Sequence, residues 1–242
     1  MQPHAEHKKG GDSKPEDYPH SYKYPRPGLT ADTAVFRIGS PGDPECQKLY
    51  ILLIKRKRSP YQGDWALPGG FVDEHEDIET AAAREVEEET GISGLKLYEV
   101  GAFGMPRRDP RGHTVTICYM TVISAQLADT AKAGDDAADT SWSSVEDLPA
   151  LAFDHAEILR ACLRKVARGI TMGDTDITRY FHEVGCEGQA MLTIGRCASN
   201  GCFLAAQAWA EVAPERTKND TIVARAKERL EEARRELPPP VS

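Results

Sequence analysis

The chain has 242 residues, 40% of them apolar, which is enough for one good-sized domain with extensions and a real core. A formal charge of -8 argues against wholesale coating of nucleic acid or anionic membrane, although basic patches stand at Lys55-Arg56-Lys57-Arg58 and at Arg107, Arg108 and Arg111. No apolar run reaches the roughly 20 residues that span a bilayer, no secretory h-region opens the chain, and early acids (Glu6, Asp12, Glu16, Asp17) disfavour a transit peptide, so a cytoplasmic address is expected.

In chain order, residues 1–28 are rich in Lys, His, Gly, Pro and Tyr with little apolar periodicity, and are expected to be a mobile tail. "TADTAVFRI" and "KLYILLIKRKR" are predicted strands, separated by the turn-rich "GSPGDPEC". A helix is predicted over 77–90, with Asp77 as N-cap, an Ala/Glu-rich body and Gly91 as its stop. "HTVTICYMTVIS", rich in Val, Ile, Thr and Tyr, is expected to be a central strand, and "AGDDAADTSW" an acidic loop. Residues 154–169 carry Ile158, Cys162, Leu163 and Val166 at helical spacing, with Gly169 as the predicted terminator. Beyond Gly169 the pattern weakens until an Arg/Glu-rich helix near the end, stopped by prolines. This mixed order points to an α+β fold with helices on both sides of a mixed sheet. The expected division is a tail over 1–28, a domain over 29–168 and a C-terminal extension over 169–242.

The six cysteines are scattered, as expected for reduced thiols. His182, Cys186, Cys197 and Cys202 match no common zinc spacing and lack a C-x-x-C knuckle.

The helix over 77–90 poses the main question, because Glu85, Glu87, Glu88 and Glu89 crowd together in it. With Ile78 at zero and 100° per residue, Glu85 and Glu89 fall on the face of Ala81, Ala82 and Val86, Glu88 on its flank, and Thr80, Ala83 and Glu87 point away. A solvated acidic face accounts for Glu87 and fails for Glu85 and Glu89. The i, i+3, i+4 relation makes the carboxylates of Glu85, Glu88 and Glu89 converge, where repulsion and desolvation add. An isolated buried carboxylate costs several kcal/mol, so the three together require cations. Arg84 reaches Glu88 or Glu76, but one guanidinium cannot neutralise the cluster. Oxygen ligands with open, hydrated positions suit magnesium or manganese better than zinc. In the preceding "WALPGGF", Pro68-Gly69-Gly70 is a tight turn of close approach that leaves a carbonyl available to a metal.

Gly70, Glu76, Arg84-Glu85-Val86, Glu88-Glu89 and Gly91-Ile92 together resemble the Nudix box, with all nine patterned positions matched. The resemblance covers residues 29–168. It implies an α/β/α sandwich with a mixed central sheet, a loop-helix-loop metal site, and hydrolysis of a nucleoside diphosphate linked to another group. It places Glu85, Glu88 and Glu89 at magnesium or manganese ligand positions, with Glu88 and Glu89 also counted as catalytic, Gly69 supplying a carbonyl, and Glu76 and Arg84 as the supporting pair.

"WALPGGFVD", "GMPRRDPRGHTVTICYM" and "LAFDHAEIL" resemble the ADP-ribose pyrophosphatase-like branch and its regulator relatives, which implies cleavage of ADP-ribose to AMP and ribose 5-phosphate. Arg108 and Arg111, in a stiff Asp-Pro turn, are candidates to clamp phosphate or ribose, with Asp109 beside them and Arg56 at a strand end near the rim. The alternative is a surface turn in which Asp109 pairs locally. The branch often carries a base on a later loop, which makes Asp135 and Asp136 the candidates, with Glu146 behind them. Rival expectations are an ADP-ribose-sensing regulator and a Nudix hydrolase for a nucleotide sugar, NADH or an oxidised nucleotide. A small nucleotide is the expected partner; membrane and nucleic acid are not, and a homodimer is one candidate assembly.

Overall fold

In a computed structural model, the structure describes residues 23–38, 48–134, 137–172, 175–184, 191 and 193–201. The tail up to residue 22, the turn over 39–47, Asp135, Asp136, Cys186, Cys202 and the last charged helix lie outside the described residues.

A seven-stranded mixed sheet forms the middle layer. Its spine is β1 (Gly28–Ile38), parallel to β6 (Thr114–Ile123) over a register that runs from Gly28↔Thr114 to Arg37↔Ile123. Both strands are covered on both faces, which is why they read as nearly continuous apolar and β-branched runs. The parallel pairing needs a long crossover, and the connection carries β2 (Leu49–Arg56), β3 (Trp65–Ala66), β4 (Gly69–Phe71), α1 (Ile78–Thr90) and β5 (Tyr98–Phe103). β7 (Ala137–Ser144) lies antiparallel to β2, so the expected acidic loop becomes a strand from Ala137 onward.

The other edge of β1 is shared between two partners, and this positions the site. Phe36, Arg37 and Ile38 pair with Ile51, Tyr50 and Leu49 of β2, whereas Thr30, Ala31 and Asp32 pair with Phe71, Gly70 and Gly69 of β4. β3 meanwhile pairs with the far end of β2, at Ile54 and Lys55. β1 and β2 therefore diverge, and the Leu67-Pro68 turn fills the gap, fastened by the Thr33 N–H donating to the Pro68 carbonyl at 2.9 Å.

Strand alternation sorts the two cores. Ala34, Phe36, Leu49, Ile51, Leu53, Met120 and Val122 face α3 (His155–Met172) and α4 (Thr175–Glu183), while Ala31, Val35, Leu52 and Tyr119 face α1. Ala81 and Ala82 are fully buried, and their small side chains let α1 approach the sheet closely. On the other face Ile158, Leu159 and Leu163 are fully buried, each contributing about 1.5–3 kcal/mol. α2 (Ala125–Ala128) is a single short turn after β6.

α1 obeys its sequence signals. The Asp77 side chain accepts from the Glu79 and Thr80 N–H groups, and Gly91 closes the helix at φ 71° with its N–H on the Glu87 carbonyl. α3 departs from them, because it runs through Gly169 to Met172. A Cβ on Gly169 would lie 2.0 Å from Ile177 Cγ2, so this glycine serves the close crossing of α3 and α4 rather than a helix end. Ile177, Tyr180, Phe181, Ile194, Cys197 and Ala198 join the same buried cluster as α3, so the packed core continues past the boundary expected at Arg168. No described helix is long and apolar enough to cross a membrane.

Candidate active site

The site lies where β1 and β2 diverge, with an acidic rim on α1 and an arginine-lined cleft beside it. Along α1 the observed exposures follow the angular reading: Glu89 is buried, Glu85 half-buried, and Glu87 and Glu88 exposed. Ala83 departs from it, being half-buried against the core beneath α1 instead of facing water.

Arg84 is the hub of the rim. Its Nε and Nη2 donate to the two Glu76 oxygens at 2.8 and 2.9 Å, Nη2 also donates to the Phe71 carbonyl at 3.1 Å, and Nη1 donates to Glu85 at 2.8 Å and Glu88 at 3.3 Å. Glu76 also accepts from the Asp73 N–H, so this pair ties the loop to the helix. The Glu76 contact, followed by Glu85, holds the Arg84 guanidinium firmly protonated.

Glu89 turns the other way and accepts from the Gly69 N–H at 2.9 Å. Burial pushes its carboxyl up to about 8; the Gly69 contact opposes this, while repulsion from Glu85 and Asp32 adds to it. Glu85 is raised too, by burial first, with Arg84 pulling it back. The expected convergence is thus only partial. Among the described residues no three acidic, His or Cys side chains are gathered as a ready ligand set, because Arg84 draws Glu85 and Glu88 while Gly69 draws Glu89.

The donor chemistry nonetheless fits a hard divalent cation, since burial and then Glu85 and Asp32 disfavour Glu89 as an anion, while Glu85 and Glu88 share one arginine. The loop is built for close approach: a Cβ on Gly70 would lie 2.5 Å from the Glu85 carboxyl, and one on Gly69 2.4 Å from the Ala31 carbonyl.

The cleft unites Arg56, Arg108, Asp109 and Arg111, the four residues singled out for substrate contact. Arg108 binds Asp154 through two bonds of 2.7 and 2.9 Å. Arg111 grips Asp109 at 2.7–3.1 Å, so the local pairing envisaged for Asp109 exists, on the wall of the cleft. Arg56 donates to the Pro60 carbonyl and lies 4.7 Å from the Phe153 ring centroid; Arg111 stands 5.5 Å from that ring and 5.3 Å from Phe71. Burial and the neighbouring Arg111 lower the Arg56 guanidinium, so this corner favours an incoming anion.

Sequence reading missed four contributors. Asp32 and His155 are buried in the cleft wall, Phe153 carries the arginine stack at φ 52°, and Asp154 anchors Arg108. His155 Nδ1 accepts the Leu67 N–H at 2.9 Å, and burial drives the ring down to about 4, so it stays neutral as an acceptor. The lone acid in "TADTAVF" was a visible signal for Asp32, and "LAFDHAEIL" held the other three, with no role assigned to any of them.

Asp135 and Asp136 lie outside the described residues, but their flanks are fixed. The Gly134 N–H donates to the Glu89 carbonyl at 2.9 Å, the Gly134 carbonyl accepts from Lys57 at 3.3 Å, and Ala137 pairs with Arg56. Glu146 lies away from these flanks. It follows Ser144, which pairs with Tyr50 at the opposite end of β2 from Arg56, and accepts from Asn200. Tyr50 and Arg56 are six residue steps apart along β2, about 20 Å.

Residues 32–162 match the family model of the NUDIX domain, more than half of the chain, which therefore belongs to the Nudix family. It is 45% identical over 115 residues to an ADP-ribose pyrophosphatase of Methanocaldococcus jannaschii, covering 47% of this chain and 66% of that one. It is 34% identical over 147 residues to the ADPR responsive transcriptional repressor NtrR of Acinetobacter baylyi, covering 59% and 56%. The chain thus spans 56% to 66% of the length of these relatives. Among solved structures it is similar to the NUDIX domain of Shewanella oneidensis NrtR complexed with ADP ribose, with TM-score 0.53 and 28% identity over 64% of this chain and 94% of that chain. A mutT/nudix family protein of Listeria innocua gives TM-score 0.52 and 34% identity over 61% and 99%.

Proposed function

We propose that this Nudix protein is a divalent-cation-dependent pyrophosphohydrolase that cuts ADP-ribose to AMP and ribose 5-phosphate. The observation that carries the reading is the juxtaposition of an acidic rim short of positive charge with an arginine-lined cleft, across the Gly69-Gly70 turn. Glu85, Glu88, Glu89 and the Gly69 carbonyl would hold magnesium or manganese, which screens the two phosphates and makes a bound water acidic enough to attack phosphorus at neutral pH.

The remaining work falls to the chain. Arg84 and Glu76 lock the turn against α1. Arg56 and Arg111, braced on Phe153, orient phosphate oxygens, while Arg108 is held by Asp154 and shapes the wall. Asp135 or Asp136 accepts the water's proton, a role supported by the anchoring of Gly134 against Glu89. Glu88 and Glu89 assist by fixing the water beside the anhydride. The ADP-ribose pyrophosphatase of M. jannaschii supports this substrate over a nucleotide sugar, NADH or an oxidised nucleotide. A cytoplasmic address and a homodimeric assembly, which sedimentation would test, complete the reading.

Purified protein with magnesium should release AMP from ADP-ribose faster than from any other member of a panel of nucleoside diphosphate derivatives. Absence of turnover on the whole panel would sink the proposal. The second reading is an ADP-ribose-responsive regulator, favoured by the 147-residue match to the repressor and by the packing of α4 into the core. It requires a DNA duplex that the protein binds and that ADP-ribose releases.

A further inference from the structure

Asp32 has no role in the scheme above, yet a carboxylate only 6% exposed in the wall of a cleft costs several kcal/mol unless something uses it. Its nearest cations are Arg108 Nη2 and His155 Nε2, each 3.8 Å away, beyond the ~3.2 Å reach of a good hydrogen bond. Arg108 is in any case already committed to Asp154. His155 is neutral and bound at its other nitrogen by Leu67, so it does not balance the charge. Burial raises the carboxyl's pKa; against this the Thr116 hydroxyl bonds it, and Arg108, Arg111 and Arg56 act on it as charges rather than as hydrogen-bond donors. Thr30, two residues earlier on the same strand face, also lines the cleft, and its Oγ1 has no hydrogen-bond partner among the described residues.

The location restricts the ligand. A Cβ on Gly69 would stand 2.5 Å from Asp32 Oδ1, and the Gly69 N–H is held by Glu89, so Asp32 adjoins the acidic rim directly. With a diphosphate at the rim, the unit one bond away is a sugar, and the base lies farther out. A carboxylate repels phosphate and accepts hydroxyl protons, and the Thr30 hydroxyl can donate or accept beside it.

We infer that Asp32, with Thr30 beside it, is the specificity-determining acceptor for ribose hydroxyls of the nucleoside diphosphate ligand. The inference rests on the reading that a diphosphate sits at the acidic rim.

The test compares ADP-ribose with two analogues, one lacking the hydroxyls of the terminal ribose and one lacking those of the adenosine ribose, on wild type and Asp32→Asn. Wild type should discriminate against one analogue by about 10- to 100-fold in kcat/KM, as expected for a hydrogen bond to a charged acceptor. Asp32→Asn should lose most of that discrimination while keeping its cooperative thermal transition. The analogue that is penalised identifies which ribose is read. Equal losses on all three compounds in the variant would overturn the inference, leaving Asp32 a positioning residue for Arg108. So would a wild type indifferent to both analogues, a result that does not need the variant to fold. Should wild type turn over none of the compounds, the hydrolase reading fails separately, and the same ratios read as calorimetric Kd values still decide the role of Asp32.

Discussion

The acidic rim and the arginine cleft meet at Gly69, yet they handle charge in opposite ways. In the cleft Arg108 has Asp154 and Arg111 has Asp109, each through short multiple bonds formed within the chain. On the rim, among the described residues, Arg84 serves Glu76, Glu85 and Glu88, and Glu89 is bonded to a backbone N–H. The Arg108 and Arg111 pairs of the cleft are thus formed before any ligand arrives, whereas the rim is stable only at a cost that a cation would remove. Preorganised arginines orient an anion without losing entropy, and a charge-poor acidic rim binds metal tightly.

The sharpest way to break this contrast is Glu89→Gln. Metal-dependent turnover should fall by at least about 100-fold, beyond the range typical of groups that only support a ligand. The metal-free variant should melt higher than wild type, most clearly above pH 8, because an acid that burial first, and then Glu85 and Asp32, disfavours as an anion has been replaced by a neutral amide. A variant that keeps its activity, or melts lower, would mean that the rim carboxylates are balanced within the chain as Arg108 and Arg111 are.

Arg108→Ala should do the reverse. Its guanidinium is 5% exposed, and removing it leaves Asp154 unpaired, at about 3–5 kcal/mol of stability. Chemical denaturation reads this directly, and a loss below about 1 kcal/mol, the scale of a surface ion pair, would show that the cleft is not held by its own salt bridges.

The third prediction concerns pH and uses one buried group from each region. Glu89 has a folded value of about 8 against the ordinary 4.5 of a glutamate carboxyl. The folded state retains a proton that the unfolded chain has lost, so its contribution to stability is full below 4.5 and is lost as pH rises through 8. His155 sits at about 4 against 6.5. The unfolded chain binds that proton first, so its contribution is present above 6.5 and is lost as pH falls through 4. Metal-free protein should therefore be most stable between these limbs, as thermal melts across pH 4–9 with a chelator would show. Magnesium should lift the alkaline limb alone. A flat alkaline limb, unchanged by magnesium, would remove the electrostatic case for the rim.

The two regions also differ in how far the sequence reveals them. α1 was legible to within a residue, and Glu85, Glu87 and Glu89 were sorted correctly, because a helix fixes which side chains share a face within a few positions. The cleft is assembled from partners far apart: Arg108 and Asp154 are 46 residues apart, Leu67 and His155 88. Arg56, Arg108 and Arg111 could be nominated by type, but the acids and the ring that hold them depend on where β1 and β2 part. Gly169 failed for a related reason, since a glycine before a polar stretch reads as a helix end, and only Ile177 on α4 shows that it is a contact. The displacement of Glu146 follows from β7 forming where composition indicated a loop.

The smallest expected effect is the best control on the division within the rim. Glu87 lies between Glu85 and Glu89 in sequence but faces water, and its backbone carbonyl, not its side chain, takes part in closing the helix at Gly91. Glu87→Gln removes a carboxylate from the same helix as Glu89→Gln and changes the net charge by the same amount. If the rim acted through diffuse negative potential, the two variants would lose comparable metal affinity. If it acts through side chains that stand beside the Gly69-Gly70 turn, Glu87→Gln should keep turnover within about twofold and stability within about 0.5 kcal/mol, the usual range for a surface change. Magnesium titrations of both variants separate the two, and equal weakening would mean that net charge, and not the face of the helix, makes the rim acidic enough to bind.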